Sequence, residues 1–167
     1  LEKAAEQLGF SIDEKDFPAD LIGKHYFWSQ QQIKVSGIGA IDYRRIYDNS
    51  SVKSEIKGRC AYLSLKEVFE DENDGRRVAI SATVAEYEEK KLNSKRTGKT
   101  EPYCKLILQQ NNDLCECIVW PEEYAKLRGM LMNAKNKLIV FSGVVKYSDF
   151  TGKNNIWFSR SSKMEVI

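Results

Sequence analysis

Residues 95–121, KRTGKTEPYCKLILQQNNDLCECIVWP, decide how this chain folds. The first five are a basic, Gly-containing loop. From 101 to 110, Cys104, Leu106 and Leu108 recur at every second position, leaving Tyr103 and Lys105 on the opposite face, the signature of a half-buried strand. The same alternation runs through 113–120, and Asn111-Asn112 between the two runs predicts a hairpin turn. Trp120-Pro121-Glu122-Glu123 then opens a helix. Proline suits the first turn, where its missing N–H is not needed, and the acids complement the positive helix start.

The pattern extends in both directions. Upstream, RRVAISATVAEYEEKK (76–91) alternates through Val78, Ile80, Ala82 and Val84 before turning polar, as a long curved strand does. Downstream, the helix ends near Met132-Asn133. Two more strands, 137–148 and 155–167, are separated by the turn-forming DFTGK (149–153). Three strands, a helix and two strands is the order of an OB-fold. The expected class is α+β: a five-stranded OB-fold β-barrel preceded by a small helical segment.

That segment occupies residues 1–75 and the barrel 76–167. Residues 1–9 read as a helix end stopped by Gly9. Residues 17–47 are helical and aromatic-rich, broken at VSGIG (35–39). Ser64 followed by Glu67 has capping-box spacing and predicts another short helix. DENDG (71–75) marks the boundary.

Composition limits the function classes. With 42% hydrophobic and 30% charged residues and a net charge of +2, the 167-residue chain reads as an ordinary globular one. No apolar run reaches the roughly 18 residues of a spanning helix, and no signal-peptide pattern opens the chain. No membrane partner is therefore expected. Leu rather than Met at position 1 suggests a piece of a longer protein. Cys60, Cys104, Cys115 and Cys117 include no C-x-x-C pair, and the sole histidine, His25, is remote, so no metal is expected. Strand cysteines of this kind behave as small core hydrophobes, which fits a reducing, cytoplasmic setting. No carboxylate cluster suited to two-metal chemistry, no Ser/His/Asp set and no phosphate loop is evident; Glu88-Glu89 and Asp71-Glu72 read as solvated charges. Neither catalysis by this segment nor a cofactor is expected.

Residues 98–121 resemble the OB module shared by bacterial DNA polymerase III alpha subunits, class II tRNA synthetases and related proteins. Pro102, Cys104, Leu106, Leu108, Glu116, Ile118, Val119, Trp120 and Pro121 fall into step with that module without a gap. The pattern departs at the turn, where Gln110 and Asp113 replace the usual Asp and Gly. Val35–Gly39 followed by Ile46-Tyr47 is similar to a helix-hairpin-helix, in which glycine backbone amides approach a phosphate. Lys34, Gly37, Gly39, Arg44 and Arg45 are its implied phosphate contacts. Tyr43 stands where that family prefers Ala, and the alternative reading is that Gly37 and Gly39 simply end one helix and turn the chain into the next. Together the two resemblances imply part of a replicative polymerase alpha subunit of bacterial or phage type, holding single-stranded DNA. RNA and other replication proteins are further partners.

An OB barrel grips single strands on its second and third strands and on the loops that frame them. Lys90, Lys91, Lys95, Arg96 and Lys99 fall on the first loop, and Tyr147, Phe150 and Lys153 on the other. Tyr103, Lys105 and Trp157 complete the expected site, with phosphates neutralised by cations and bases stacked on aromatics. Trp120 is assigned to anchoring the helix. Of Trp157 and Phe158, one faces the core and the other solvent. Two alternatives stay open: a protein-docking barrel within a replication assembly, and a tRNA synthetase anticodon-binding module.

Overall fold

Val78, Ile80, Ala82 and Val84 are all fully buried, and they set the inward face of the longest strand, β2 (Arg77–Asn93). The structure, a computed structural model, describes residues 41–167. Before β2 come α1 (Tyr43–Asp48), α2 (Ser51–Ile56), the two-residue strand β1 (Ala61–Tyr62), α3 (Leu65–Val68) and a 3-10 turn at Asp71–Asn73. After it follow β3 (Thr100–Gln110), β4 (Asp113–Val119), α4 (Pro121–Leu131), β5 (Leu138–Ser148), β6 (Lys153–Phe158) and β7 (Met164–Val166).

The strands are hydrogen-bonded in the order β1-β2-β3-β4-β6-β5-β7, and β2 also pairs with β5, which closes a ring. Around it, β2–β3, β3–β4, β5–β6 and β2–β5 are antiparallel, while β4–β6 is parallel. Five strands in this order, with a helix between the third and the fourth, make an OB fold. β2 serves two neighbours by bending. Its first half, to Thr83, pairs with β5 and its second half with β3, and the register slips between Val84 and Glu86. Such an irregularity strengthens local twist, which a closing sheet requires.

Leu106, Leu108, Cys117, Val119, Ile139, Phe141, Val145, Ile156 and Phe158 fill the ring interior, and Tyr124 and Leu131 of α4 pack against them. The three strand cysteines lie in this core as free thiols, as their alternation predicted. Burial pushes Cys104 and Cys115 up to about 12 and Cys117 well above the usual thiol range.

Tyr43–Ile167 form one compact unit in which the short helices pack on the ring. Buried polar side chains make the joins. Gln110 accepts from the Leu65 amide at 3.1 Å and donates to the Ser81 carbonyl at 3.0 Å. Asn154 donates to the carbonyls of Val68 and Glu70 at 2.9 and 3.0 Å. Ser64 and Glu67 form the expected capping box around α3. Three features differ from the sequence reading. Ser50 caps α2, a helix not foreseen, by accepting from the Lys53 amide. β1 joins β2 in parallel. The run expected as one strand over 155–167 divides at Ser159–Lys163, so that β6 pairs with β5 and β4 whereas β7 pairs with β5 alone. The helices expected over 1–9 and 17–33, and the break at 35–39, lie outside the described residues.

Candidate nucleic-acid interface

Side chains that point away from the core of an OB ring form its working surface, and strand register aligns them. Lys105 pairs with Ile118, Ile118 with Trp157, Trp157 with Val144, and Val144 with Arg77. Partnered residues share a face, so this is one outward row crossing five strands. Tyr103 and Trp120 flank it where β3 begins and β4 ends.

Three aromatic rings make a continuous platform there. Tyr103 stacks on Trp120 with centroids 5.6 Å apart and planes 23° from parallel. Trp157 meets Trp120 edge-on at 5.1 Å and 81°. Lys146 holds its ammonium 5.8 Å from the centroid of Trp157. Parity decides exposure: Phe158 faces the core at 3%, while Trp157 stands outward at 37%. Trp120 also opens α4, its carbonyl accepting from the Tyr124 amide at 2.9 Å. It is thus the N-cap residue of α4, with no side-chain capping bond, and also the central ring of the platform.

The predicted cations separate into groups. Lys95, Arg96 and Lys99 stand exposed in the 94–99 turn, which Gly98 closes with a φ of 65° and a 2.9 Å bond from its amide to the Ser94 carbonyl. Lys90 and Lys91 belong to β2 rather than to that loop. Lys90 pairs across the ladder with Tyr103, and its ammonium is 3.8 Å from Glu88. Lys105 lies between Glu88 at 3.7 Å and Glu116 at 3.6 Å, so its charge is largely balanced before any ligand arrives. Tyr147, Phe150 and Lys153 do not meet the platform. They stand at the end of the ring where β4 begins. There Lys153 lies 5.4 Å from the Phe69 ring and the Tyr147 amide donates to Asp74 at 2.9 Å. Phe150, 97% exposed, tips the β5–β6 turn.

Of the helix-hairpin-helix candidates, Lys34, Gly37 and Gly39 lie outside the described residues. Arg44 and Arg45 are on α1. Arg44 rests 4.9 Å over the Tyr62 ring, which stacks on Tyr47 at 4.7 Å, and reaches Asp48 at 3.4 Å.

Two features escaped the sequence reading. Lys146 was not identified, although placing Val145 in the core turns it outward beside Trp157. Glu89 is not a solvated charge: three side chains hold it through four hydrogen bonds. Arg128 grips it in bidentate fashion at 3.1 and 3.2 Å, the Tyr124 hydroxyl donates to it, and Tyr87 bonds both Tyr124 and Glu89. These contacts, first the Tyr124 hydroxyl and then the Arg128 charge, lower the Glu89 carboxyl. Burial and the same carboxylate push the Tyr124 phenol up. Among the described residues no cluster of three metal-ligating side chains occurs, and no helix is long and apolar enough to cross a membrane.

Comparison with known proteins bears on the fold alone. No family model and no curated protein matches the chain. Solved structures do. A replication protein A heterotrimer bound to single-stranded DNA aligns over 64% of this chain and 24% of its own, at 19% identity and a TM-score of 0.49. An OB domain from Thermoplasma acidophilum aligns over 64% of this chain and 86% of its own, at 10% identity and a TM-score of 0.47. Asparaginyl-tRNA synthetase from Pyrococcus horikoshii aligns over 63% and 22%, at 16% identity and 0.41. The chain thus spans about a quarter of the first of these relatives.

Proposed function

We propose that this OB module binds single-stranded nucleic acid across the Tyr103–Trp120–Trp157 platform. The observation that carries the reading is the platform itself: Tyr103 and Trp157 each in contact with the half-buried Trp120 between them, with a lysine against Trp157, on the sheet face that OB folds use. Every base has a π-face, so such a surface holds a strand without reading its sequence. The Lys95, Arg96 and Lys99 turn and Lys146 supply phosphate contacts. The resemblance of residues 98–121 favours single-stranded DNA and a place in a replicative polymerase alpha subunit, where the module steadies the template.

Fluorescence anisotropy of labelled oligo-dT across a salt series, beside oligo-U and duplex DNA, tests this. Micromolar or tighter binding to single strands, weakening with salt and reduced by the triple change Lys95→Ala, Arg96→Ala and Lys99→Ala, is the expected result. Flat titrations at low salt sink the reading and favour protein docking. The exposed Leu114, Tyr147 and Phe150 at the far end of the ring give docking its own apolar surface.

A further inference from the structure

Around the ring from the platform, a cleft of about 210 Å³ opens between α2, the start of β2, the middle of β5 and the 159–163 turn. Its wall includes Glu55, Arg59, Arg77, Ser142, Ser161 and Lys163. Two guanidiniums and one ammonium against one carboxylate leave a surplus of two positive charges. Glu55 is engaged by Lys163 at 3.5 Å. The two guanidiniums have no carboxylate partner among the described residues. Arg59 donates to the carbonyls of Ile56 and Glu55 at 3.1 and 3.3 Å, and Arg77 donates to the Ser161 hydroxyl. Hydroxyls of Ser142 and Ser161 add neutral groups able to donate to an anion. Planar guanidiniums with spare donors beside hydroxyls suit a phosphate, whose oxygens they meet in paired fashion.

Register ties this cleft to the platform. Arg77 is the Cα partner of Val144, and Val144 of Trp157, so Arg77 lies two strand spacings, about 10 Å, from Trp157 along the outward row. Ser142 shares the outward face of β5 with Val144 and Lys146. We propose that the cleft is a phosphate site, and that it seats a backbone phosphate of a strand leaving Trp157 across Val144. The second half of this inference rests on the platform reading; the first half does not.

Two measurements separate them. Inorganic phosphate is titrated into the 15N-labelled chain, and oligo-dT anisotropy is followed against salt for wild type, Arg77→Gln and Glu55→Gln. Glutamine at 77 keeps a donor for Ser161 while removing charge. Millimolar phosphate is expected to shift the amides of Ser142, Ser161 and Lys163 in the wild type and not in Arg77→Gln. For oligo-dT, Arg77→Gln lowers the slope of log K on log salt by about 0.7, one single-strand phosphate contact, and Glu55→Gln tightens binding. Silent amides overturn the phosphate site. Responsive amides with unchanged slopes, while Trp157→Ala still weakens oligo-dT, overturn the seating of the strand there. Loss of that Trp157 dependence points instead to failure of the platform reading.

Discussion

Trp157 and Phe158 are neighbours in β6, and the pleat sends one to solvent and the other to the core. Their substitutions should separate function from stability. Trp157→Ala is expected to weaken oligo-dT binding by roughly 5- to 150-fold, the equivalent of about 1–3 kcal/mol for a lost stacked base. Its urea midpoint should change little. Phe158→Ala should cost about 3–5 kcal/mol of stability by emptying the core. Anisotropy and urea melts on both variants check the split. The same parity made Tyr103 legible in the sequence, because Cys104, Leu106 and Leu108 fix which face is inward. It left Glu88 and Glu89 indistinguishable, since both lie on the polar half of β2 and only the folded position of α4 brings Arg128 and Tyr124 to Glu89. That carboxyl is lowered in the fold, so its contribution is fully present above its ordinary value of 4.5 and is lost as pH falls through the lower, folded value. Urea melts of wild type and Glu89→Gln should therefore differ at pH 7 and converge in acid below that value. A gap that persists undiminished at low pH counts against the ion pair as its source.

At the scale of elements, β6 leaves no room beside β5 at Gly143. A Cβ there meets Ile156 Cγ2 and the Trp157 carbonyl oxygen, each at 2.9 Å, and backbone cannot swing aside as a flexible side chain can. Gly143→Ala should cost about 1–3 kcal/mol by overpacking, read from the urea midpoint, and should disturb the presentation of Trp157 as well. Nothing local in FSGVVK announces this, because the constraint comes from a strand ten and more residues later. The long alternating strands and α4 were legible because hydrophobic period and a Pro-led start agree there. α2 was missed because Ser50 caps it without the Glu three residues on that completes a capping box. The break of 155–167 into β6 and β7 was missed for a different reason: RSSK turns the chain, yet apolar residues resume at Met164 as though the strand continued.

For the molecule as a whole, α3 and the residues just before it complete the ring's core rather than merely precede it. Leu63, Leu65 and Val68 are buried against it, and Gln110 and Asn154 spend their hydrogen bonds on that segment. A chain cut to 76–167 is thus expected to lose its cooperative thermal transition, while 41–167 keeps it; calorimetry of the two fragments decides. The distribution of charge also belongs to this scale. With Lys105 balanced by Glu88 and Glu116, the platform should rely on stacking, and the salt dependence should come mainly from the 94–99 turn and the cleft beside Arg77.

The two shortest strands have a role out of proportion to their length. β1 lies along the stretch of β2 that β3 does not reach, and β7 along the stretch of β5 that β6 does not reach. A ring of unequal strands otherwise leaves two rows of unpaired amides and carbonyls, templates on which a second chain can build sheet. By pairing both rows with two and three residues, β1 and β7 shorten the edges on which a second chain could add a strand.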